Sequence, residues 1–313
     1  MKKILSFLLK TIGVLVLAIV LFVVGVFVVN KISNKTELGK IEPYGQKVSV
    51  DGKNMNVLIE GKGDETVVLL PGFATAAPGL DFKPLIDQLA PFYKVVVVEP
   101  FGYGLSDITD KERTVDNIIA ETHEALQKLN INHYTLMGHS IAGIYGLEYV
   151  NKYENEVKAF VGIDSSFPTQ MNGENEEFPT GVYKFLRDSG FNRLLMKLSP
   201  DQVFAPDGDE AIKEQVRMIS LKNAFNDDML NEGENFTRNF KAAESYSFPK
   251  NLPVLFFLVK VNTDVEGWKK GHEEQIKNSA YGKIIELEGE HYLHHTHSKE
   301  IAEDFRSFMA EVK

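Results

Sequence analysis

Residues 134–143 read YTLMGHSIAG and carry the strongest structural signal in the chain. The first four are typical of a buried strand, and the next segment, IYGLEYV at 144–150, is typical of a helix. Ser140 therefore falls where a strand becomes a helix. Small residues two positions before and after such a serine permit a sharp turn, and Gly138 and Ala142 fill these positions. The pattern predicts a nucleophile elbow. The alternative interpretation is an ordinary strand-to-helix turn.

Composition narrows the classes of protein to which the chain can belong. Its 313 residues are 43% hydrophobic, which is enough to bury a sizeable core. The formal net charge of -10 argues against a nucleic-acid partner, because an acidic surface repels phosphate. The absence of cysteine excludes disulfides, thiolate nucleophiles and cysteine metal ligands.

The N-terminal residues 1–30 are predicted to be a membrane anchor. Residues 11–29 form an uncharged apolar run that is long enough to cross a membrane as one helix. Three lysines precede the run, so the globular part is expected outside the cytoplasm. A cleaved signal peptide is the alternative, but the run exceeds the usual apolar core of about 7–15 residues and no small-residue cleavage site follows it. Residues 31–45 are predicted to be a linker.

From residue 46 onward, strand and helix patterns alternate along the chain, which predicts an α/β protein with a mostly parallel sheet. The first two strands flank Asp51-Gly52 and should form an antiparallel hairpin at the sheet edge. Most of the others are short and wholly apolar, as expected for parallel strands that are buried on both faces. The predicted strands are residues 47–50, 55–60, 66–70, 94–98, 134–137, 157–163, 253–260 and 283–288.

Four motifs occur in the order seen in the α/β-hydrolase superfamily. They are Leu70-Pro71-Gly72-Phe73, the loop EPFGYGLSD at 99–107, the elbow at Ser140, and Gly289-Glu290-His291. The chain from about residue 46 to its end resembles this fold. The resemblance implies an eight-stranded, mostly parallel sheet flanked by helices, with a core of residues 46–164 and 251–313.

The resemblance also implies that residues 165–250 form a helical cap over the active site. Their sequence carries helical patterns without strands, and their many acids are expected to form a solvated face. Substrate choice would be decided in this segment. Two positions depart from the family pattern: Pro71 stands where many members have histidine, and Ala142 replaces the last glycine of the elbow.

Ser140 is the expected nucleophile. A serine hydroxyl is a poor nucleophile at neutral pH, so acyl transfer needs a base within hydrogen-bond reach and a third group that orients the base. Backbone N–H groups must also stabilise the oxyanion. By the resemblance, these groups belong to Phe73 and Ile141, and no cofactor is required.

The base is expected late in the chain, where four histidines cluster at positions 291, 294, 295 and 297. His291 follows the last predicted strand and precedes the terminal helix, so it is the predicted base. By family analogy, His294 packs beside the site. The alternative is a metal site built from these imidazoles, but no known zinc motif accompanies them, and no metal is predicted.

Two aspartates compete for the role of the acid. Asp264 follows the penultimate strand, where the family usually places the acid, and is the predicted residue. Asp164 ends the strand after the elbow helix and is the alternative, because some members take the acid from there. Its other interpretation is a loop-capping aspartate. Glu266 is a third candidate.

The sequence thus predicts a membrane-anchored serine hydrolase that cleaves an ester, thioester or amide through an acyl-enzyme intermediate. Its substrate would be a small molecule or a lipid-like acyl compound. A nucleophilic aspartate would have indicated a dehalogenase or epoxide hydrolase instead. A cofactor-free haloperoxidase, a C–C bond hydrolase and a non-catalytic binding protein of the same fold remain alternatives. The sequence does not predict the oligomeric state.

Overall fold

The computed structural model describes residues 2–171, 177–199, 205–206, 208–262 and 265–312. Its strands are β1 (Gln46–Val50), β2 (Lys53–Glu60), β3 (Thr66–Leu70), β4 (Lys94–Glu99), β5 (Tyr134–His139), β6 (Val157–Ile163), β7 (Val254–Val259) and β8 (Gly282–Leu287). They form one eight-stranded sheet in the order β1-β2-β4-β3-β5-β6-β7-β8. Strands β3 to β8 are mutually parallel, whereas β2 pairs antiparallel with both β1 and β4. The predicted sheet and edge hairpin are confirmed.

The central strands are apolar because both of their faces are covered. Every residue of β3, β5 and β7 is buried. Besides the N-terminal helix, the described helices outside the β6–β7 connection are α2 (Pro78–Asp81), α3 (Lys83–Leu89), α4 (Val115–Lys128), α5 (Ala142–Lys152), α11 (Trp268–Ile276), α12 (Leu293–Thr296) and α13 (Ser298–Glu311). Helix α3 packs against α13, and α4 packs against α5. Continuous apolar strands of this kind are typical of parallel sheets that helices enclose.

The described residues between β6 and β7 form five helices, which we call the inserted helices. They are α6 (Thr180–Ser189), α7 (Phe191–Leu198), α8 (Glu210–Asn223), α9 (Asp227–Glu234) and α10 (Phe236–Ala243). The described residues of this connection contain no strand, in agreement with the helical patterns of the sequence. Two acids depart from the expected solvated face, because Asp228 and Glu232 are buried. The domain boundaries stay predictions.

Helix α1 runs from Lys2 to Leu38 without a break, and it is long and apolar enough to cross a membrane. Residues 31–38, the first part of the predicted linker, are therefore helical. Contacts with the inserted helices explain the extension: Arg193 of α7 donates to Asn30 at 3.1 Å and to Glu37 at 2.9 Å. These contacts stabilise a polar helical turn that the local sequence alone did not indicate.

The parallel strands bring three chemically important segments to one edge of the sheet. Ser140 follows β5, Asp164 follows the neighbouring strand β6, and His291 lies in the turn after β8. Because the carboxyl ends of parallel strands share an edge, residues that are far apart in sequence meet there.

Candidate active site

Ser140 lies in the sharp turn that the sequence predicts. Its φ angle is +55°, in the left-handed region. Residues other than glycine occupy this region only when the surrounding structure holds them there. Two of its backbone hydrogen bonds link it to the end of β6: its N–H donates to the carbonyl of Ile163 at 3.2 Å, and its own carbonyl accepts from the N–H of Ser166 at 2.8 Å. Both partners lie at the end of β6 or just after it, so this strand end fixes the serine.

The small neighbours of Ser140 leave room for the turn. A methyl group added at Gly138 would lie 2.9 Å from the Cβ of Ala142, so this glycine leaves the space beside the alanine methyl. A methyl group on Gly143 would come within 2.2 Å of the Ser166 carbonyl oxygen. Gly143, one place after the usual elbow glycine, is therefore required, because the loop after β6 approaches it closely. Ala142 is compatible with the elbow because Gly138 has no side chain.

Asp164 is the carboxylate that contacts His291. Its Oδ2 lies 2.6 Å from Nδ1 of His291, and the aspartate is only 1% exposed. The other oxygen, Oδ1, accepts from the backbone N–H of Val259 and from the indole N–H of Trp268, both at 3.0 Å. An ionised carboxylate only accepts hydrogen bonds, so Nδ1 of His291 is the donor, and in the neutral imidazole Nε2 then carries no proton.

The structure therefore brings the alternative acid, Asp164, to the imidazole. Asp264, the residue predicted first, lies outside the described residues, and Glu266 is exposed. Like Ser140, Asp164 has a left-handed φ angle, +41°. Sequence analysis missed Trp268, the indole donor that orients Asp164. In the described part of the chain, Ser140 and His291 are not hydrogen-bonded to each other.

Two backbone N–H groups are free near the serine. Those of Phe73 and Ile141 donate to no other group among the described residues. Ile141 immediately precedes α5, so its N–H belongs to the unpaired donors at a helix start. Gly72 brings the other loop close: a methyl group there would lie 3.0 Å from Cβ of Ser140. Free, oriented donors beside a nucleophile are what an oxyanion hole requires.

A model of the α/β-hydrolase fold matches residues 65–269, which is more than half of the chain. The chain belongs to the α/β-hydrolase family. The match begins just before β3 and ends in α11, so it includes Ser140, Asp164, Phe73 and Ile141.

Relatives of this α/β hydrolase include protein YbdG of Bacillus subtilis (strain 168), which is 33% identical over 261 residues, 79% of this chain and 78% of that protein. The 2-hydroxy-6-oxo-6-(2'-aminophenyl)hexa-2,4-dienoic acid hydrolase of Metapseudomonas resinovorans is 27% identical over 138 residues, 44% of this chain and 47% of that enzyme. Among solved structures, an epoxide hydrolase from Vigna radiata superposes with a TM-score of 0.68 at 16% identity, covering 85% of this chain and 97% of that chain. The superposition supports the fold alone.

Glu232 of α9 connects the two segments that carry the free N–H groups. It is buried, and its carboxylate accepts from the hydroxyl of Tyr145 at 2.6 Å and from that of Tyr103 at 2.7 Å. Tyr145 lies on the elbow helix α5. The Tyr103 hydroxyl also accepts from the N–H of Ala74, the residue after Phe73, at 3.1 Å. One side chain of the inserted helices thus holds both the elbow helix and the Phe73 loop.

The electrostatics of this network depend on burial. Burial raises the pKa of Glu232 above its ordinary value, and the hydrogen bonds from Tyr145 and Tyr103 oppose this shift. Sequence analysis did not identify Glu232, since it lies 87 positions from Tyr145 and 129 from Tyr103 among many exposed acids. No local pattern distinguishes it from them.

A second cluster of hydrogen-bonded side chains lies in and beside the turn that carries His291. Asp81 of α2 accepts from Nε2 of His294 at 2.7 Å and from Nε2 of His295 at 2.8 Å. Burial opposes ionisation of Asp81, but the two imidazoles hold its pKa below the ordinary value. The three side chains could ligate a metal ion by their proximity. Their separations are those of hydrogen bonds, and the cluster attaches the His291–His295 turn to α2.

His139, next to Ser140 in the sequence, has a buried imidazole that favours the neutral form. Burial lowers the pKa of its imidazole well below the ordinary value, and His294 and His291 nearby lower it further. Its Nε2 lies 3.0 Å from the backbone carbonyl of His291 and donates to it, since a carbonyl only accepts. The hydrogen bond ties the elbow directly to the turn that carries the candidate base.

Proposed function

We propose that this α/β hydrolase is a serine hydrolase that cleaves an ester, thioester or amide with Ser140, His291 and Asp164. The observation that supports it most is the 2.6 Å contact between His291 Nδ1 and Asp164 Oδ2, at the sheet edge where the strained Ser140 also lies. A nucleophile, an orienting carboxylate and a base, in this order along the chain, fit the general scheme of acyl transfer.

The proposed reaction has two steps. His291 Nε2 accepts the hydroxyl proton of Ser140 as the oxygen attacks the substrate carbonyl, and the N–H groups of Phe73 and Ile141 stabilise the oxyanion. The protonated imidazole then donates to the leaving group, which gives an acyl-enzyme. Water, activated by the same imidazole, releases the acid. Asp164 stabilises the imidazolium throughout.

The aromatic side chains beside the Phe73 loop favour an apolar acyl group. The ring of Phe73 lies 4.5 Å from that of Phe236 and 5.8 Å from that of Phe178. Both partners come from the connection between β6 and β7. A wall of this kind provides apolar contact and no hydrogen-bond donor for the bound acyl chain.

Hydrolysis of a C–C bond is the second candidate function. The similarity to the Metapseudomonas resinovorans dienoic acid hydrolase favours it. The same Ser140, His291 and Asp164 would serve either reaction, so turnover of a short ester against that of a vinylogous diketone would distinguish the two.

A membrane-impermeant fluorophosphonate probe tests the chemistry and the location together. We further propose that α1 anchors the protein, with the catalytic part outside the cytoplasm, because three lysines precede the apolar run. The probe, added to intact cells, should label the chain covalently at Ser140. Labelling only after lysis would reverse the orientation. Absence of labelling in both samples would refute the serine hydrolase.

Glu232→Gln is expected to lower kcat by about 10- to 100-fold with a smaller change in KM. An amide offers one acceptor oxygen instead of two, so Tyr103 and Tyr145 can no longer both donate. The N–H groups that each tyrosine helps to position would then shift, and small misplacements of catalytic groups carry costs of this size. Steady-state kinetics with a short p-nitrophenyl ester measures the effect.

Two single variants serve as matched controls for this prediction. Tyr103→Phe removes the contact with the Phe73 loop, and Tyr145→Phe removes the contact with the elbow helix. Each of these variants should lower kcat, but by less than Glu232→Gln does. If all three variants lower only the melting temperature and leave kcat unchanged, Glu232 has a purely structural role.

A further inference from the structure

The helices α6 and α7 carry an exposed apolar face. Val182 and Phe185 of α6 are 58% and 59% exposed, and Leu195 and Leu198 of α7 are 47% and 71% exposed. In each helix the two residues are three positions apart and therefore share one side. Large apolar side chains that cluster on adjacent elements of a protein surface mark an interaction site.

The position of this face relative to α1 indicates its partner. The ring of Phe191, at the start of α7, lies 6.2 Å from that of Phe22 in α1 and 6.0 Å from that of Phe185. Phe22 precedes the end of the uncharged run, Val29, by seven residues. At a rise of about 1.5 Å per residue, Phe22 lies roughly 10 Å inside the apolar segment. The start of α7 is therefore level with the apolar part of α1.

Polar contacts hold α7 and α8 against the end of α1. Arg193 of α7 donates to Asn30 and Glu37, and Arg217 of α8 donates to Glu37 at 3.0 Å. Gly190, just before α7, approaches α1 so closely that a methyl group there would lie 2.4 Å from Cβ of Asn30. The exposed face of α6 and α7 is thus fixed beside α1.

We propose that the exposed face of α6 and α7 is embedded in the lipid bilayer beside α1. The inference rests on the proposal that α1 crosses the membrane. The most apolar part of α1 has no buried residue, and its Phe22 contacts Phe191, whose ring in turn contacts Phe185. If the bilayer surrounds α1 at the level of Phe22, it also reaches these side chains.

The embedded face also defines a substrate class. Helix α6 presents Phe185 outward, whereas the ring of its Tyr183 lies 5.1 Å from that of Phe178, which in turn contacts Phe73 beside the nucleophile. A single helix therefore separates the lipid from the aromatic wall of the site. The substrate is an apolar ester or thioester that is dissolved in the membrane and enters past α6.

Depth-dependent quenching tests the proposal on the full-length protein. The chain has no cysteine, so Phe185→Cys and Leu198→Cys each provide a single site for the fluorophore NBD. The control is Tyr281→Cys, because Tyr281 is 49% exposed and precedes β8 at the opposite edge of the sheet from Ser140. The proteins are reconstituted in phosphatidylethanolamine–phosphatidylglycerol vesicles that contain nitroxide-labelled lipid.

Quenching by the nitroxide lipid should be several times stronger at positions 185 and 198 than at 281. If the nitroxide lipid quenches none of the three fluorophores while the protein floats with the vesicles, the proposal of an embedded face is wrong, whereas the proposal of an α1 anchor is retained. If the chain does not float with the vesicles, α1 is not an anchor and both proposals fail.

A kinetic measurement tests the substrate class. The double variant Phe185→Gln/Leu198→Gln should raise the apparent KM for a long-chain ester dissolved in vesicles about tenfold, since two apolar side chains leave the membrane. The KM for a short, water-soluble ester should not change. Equal effects on both substrates, or none on the vesicle substrate, would contradict delivery from the membrane.

Discussion

Ser140→Ala should lower kcat for a p-nitrophenyl ester by about 10⁶-fold, because a triad acts as a unit and the loss of its nucleophile removes the acyl-enzyme route. The fold should persist. The backbone hydrogen bonds of residue 140 to Ile163 and Ser166 do not involve its side chain, and alanine fits wherever serine fits. Steady-state kinetics and a thermal melt on the same preparation would measure both effects.

Ser165→Ala is the matched control for this substitution. Ser165 is buried close to the elbow, and its hydroxyl has no hydrogen-bond partner among the described residues. Its removal should change kcat by less than about twofold, as the loss of an unbonded hydroxyl is nearly neutral. If Ser140→Ala retained most of the activity, Ser140 would not be the nucleophile. If the control were equally inactive, the loss would reflect disturbed packing near the elbow and not the Ser140 hydroxyl.

Asp164→Asn should lower kcat by about 10⁴-fold. The reason lies in the orientation of the new amide. Val259 N–H and the Trp268 indole donate to Oδ1, so the carbonyl oxygen of asparagine will take that place and its NH₂ will face His291. The imidazole must then accept at Nδ1 and carry its proton on Nε2. In this tautomer it cannot accept the proton of Ser140.

Asp264→Asn is the control for the acid, because Asp264 is the other aspartate that the sequence places after a suitable strand. We expect it to retain near-full activity. The assignment of the acid would be reversed if Asp264→Asn lost about four orders of magnitude and Asp164→Asn did not. The pH profile of kcat for Asp164→Asn adds a second readout, since the imidazole loses the carboxylate that stabilises its charged form.

The sequence was sufficient to predict the sheet and the sharp turn at Ser140. Strands such as β3 and β7 are unbroken apolar runs, and local hydrophobicity determines such elements. The turn at Ser140 was predictable too, because small residues at fixed offsets are a local steric requirement. Each of these features depends on neighbours within a few residues along the chain.

The acid could not be chosen from the sequence alone. Asp164 and Asp264 both follow predicted strands, and only a spatial contact with His291 can decide between them. Asp164 contacts the imidazole because the turn after β8 reaches the carboxyl end of β6 and because Trp268, 104 positions away, orients the carboxylate. Glu232 was missed for the same physical reason, as its tyrosine partners come from two distant segments.

The end of α1 shows how tertiary contacts override local preference. Residues 31–38 are polar and read as a linker, yet arginines of two inserted helices bind their side chains and keep them helical. A polar sequence without local caps gives no sign of such partners. Only the relative position of α7 and α8 reveals why the helix continues.

The two small positions of the elbow motif, Gly138 and Ala142, differ in the substitutions that they tolerate. The sharp turn at Ser140 brings positions 138 and 142 close together. The methyl group of Ala142 already occupies the space between them, next to Gly138. Exchange of Ala142 for glycine removes an atom, whereas exchange of Gly138 for alanine adds one where none fits. Because Gly138 has no side chain, the chain can carry alanine at position 142 in place of the usual glycine. A search for related enzymes that insists on glycine at both positions would overlook chains built in this way.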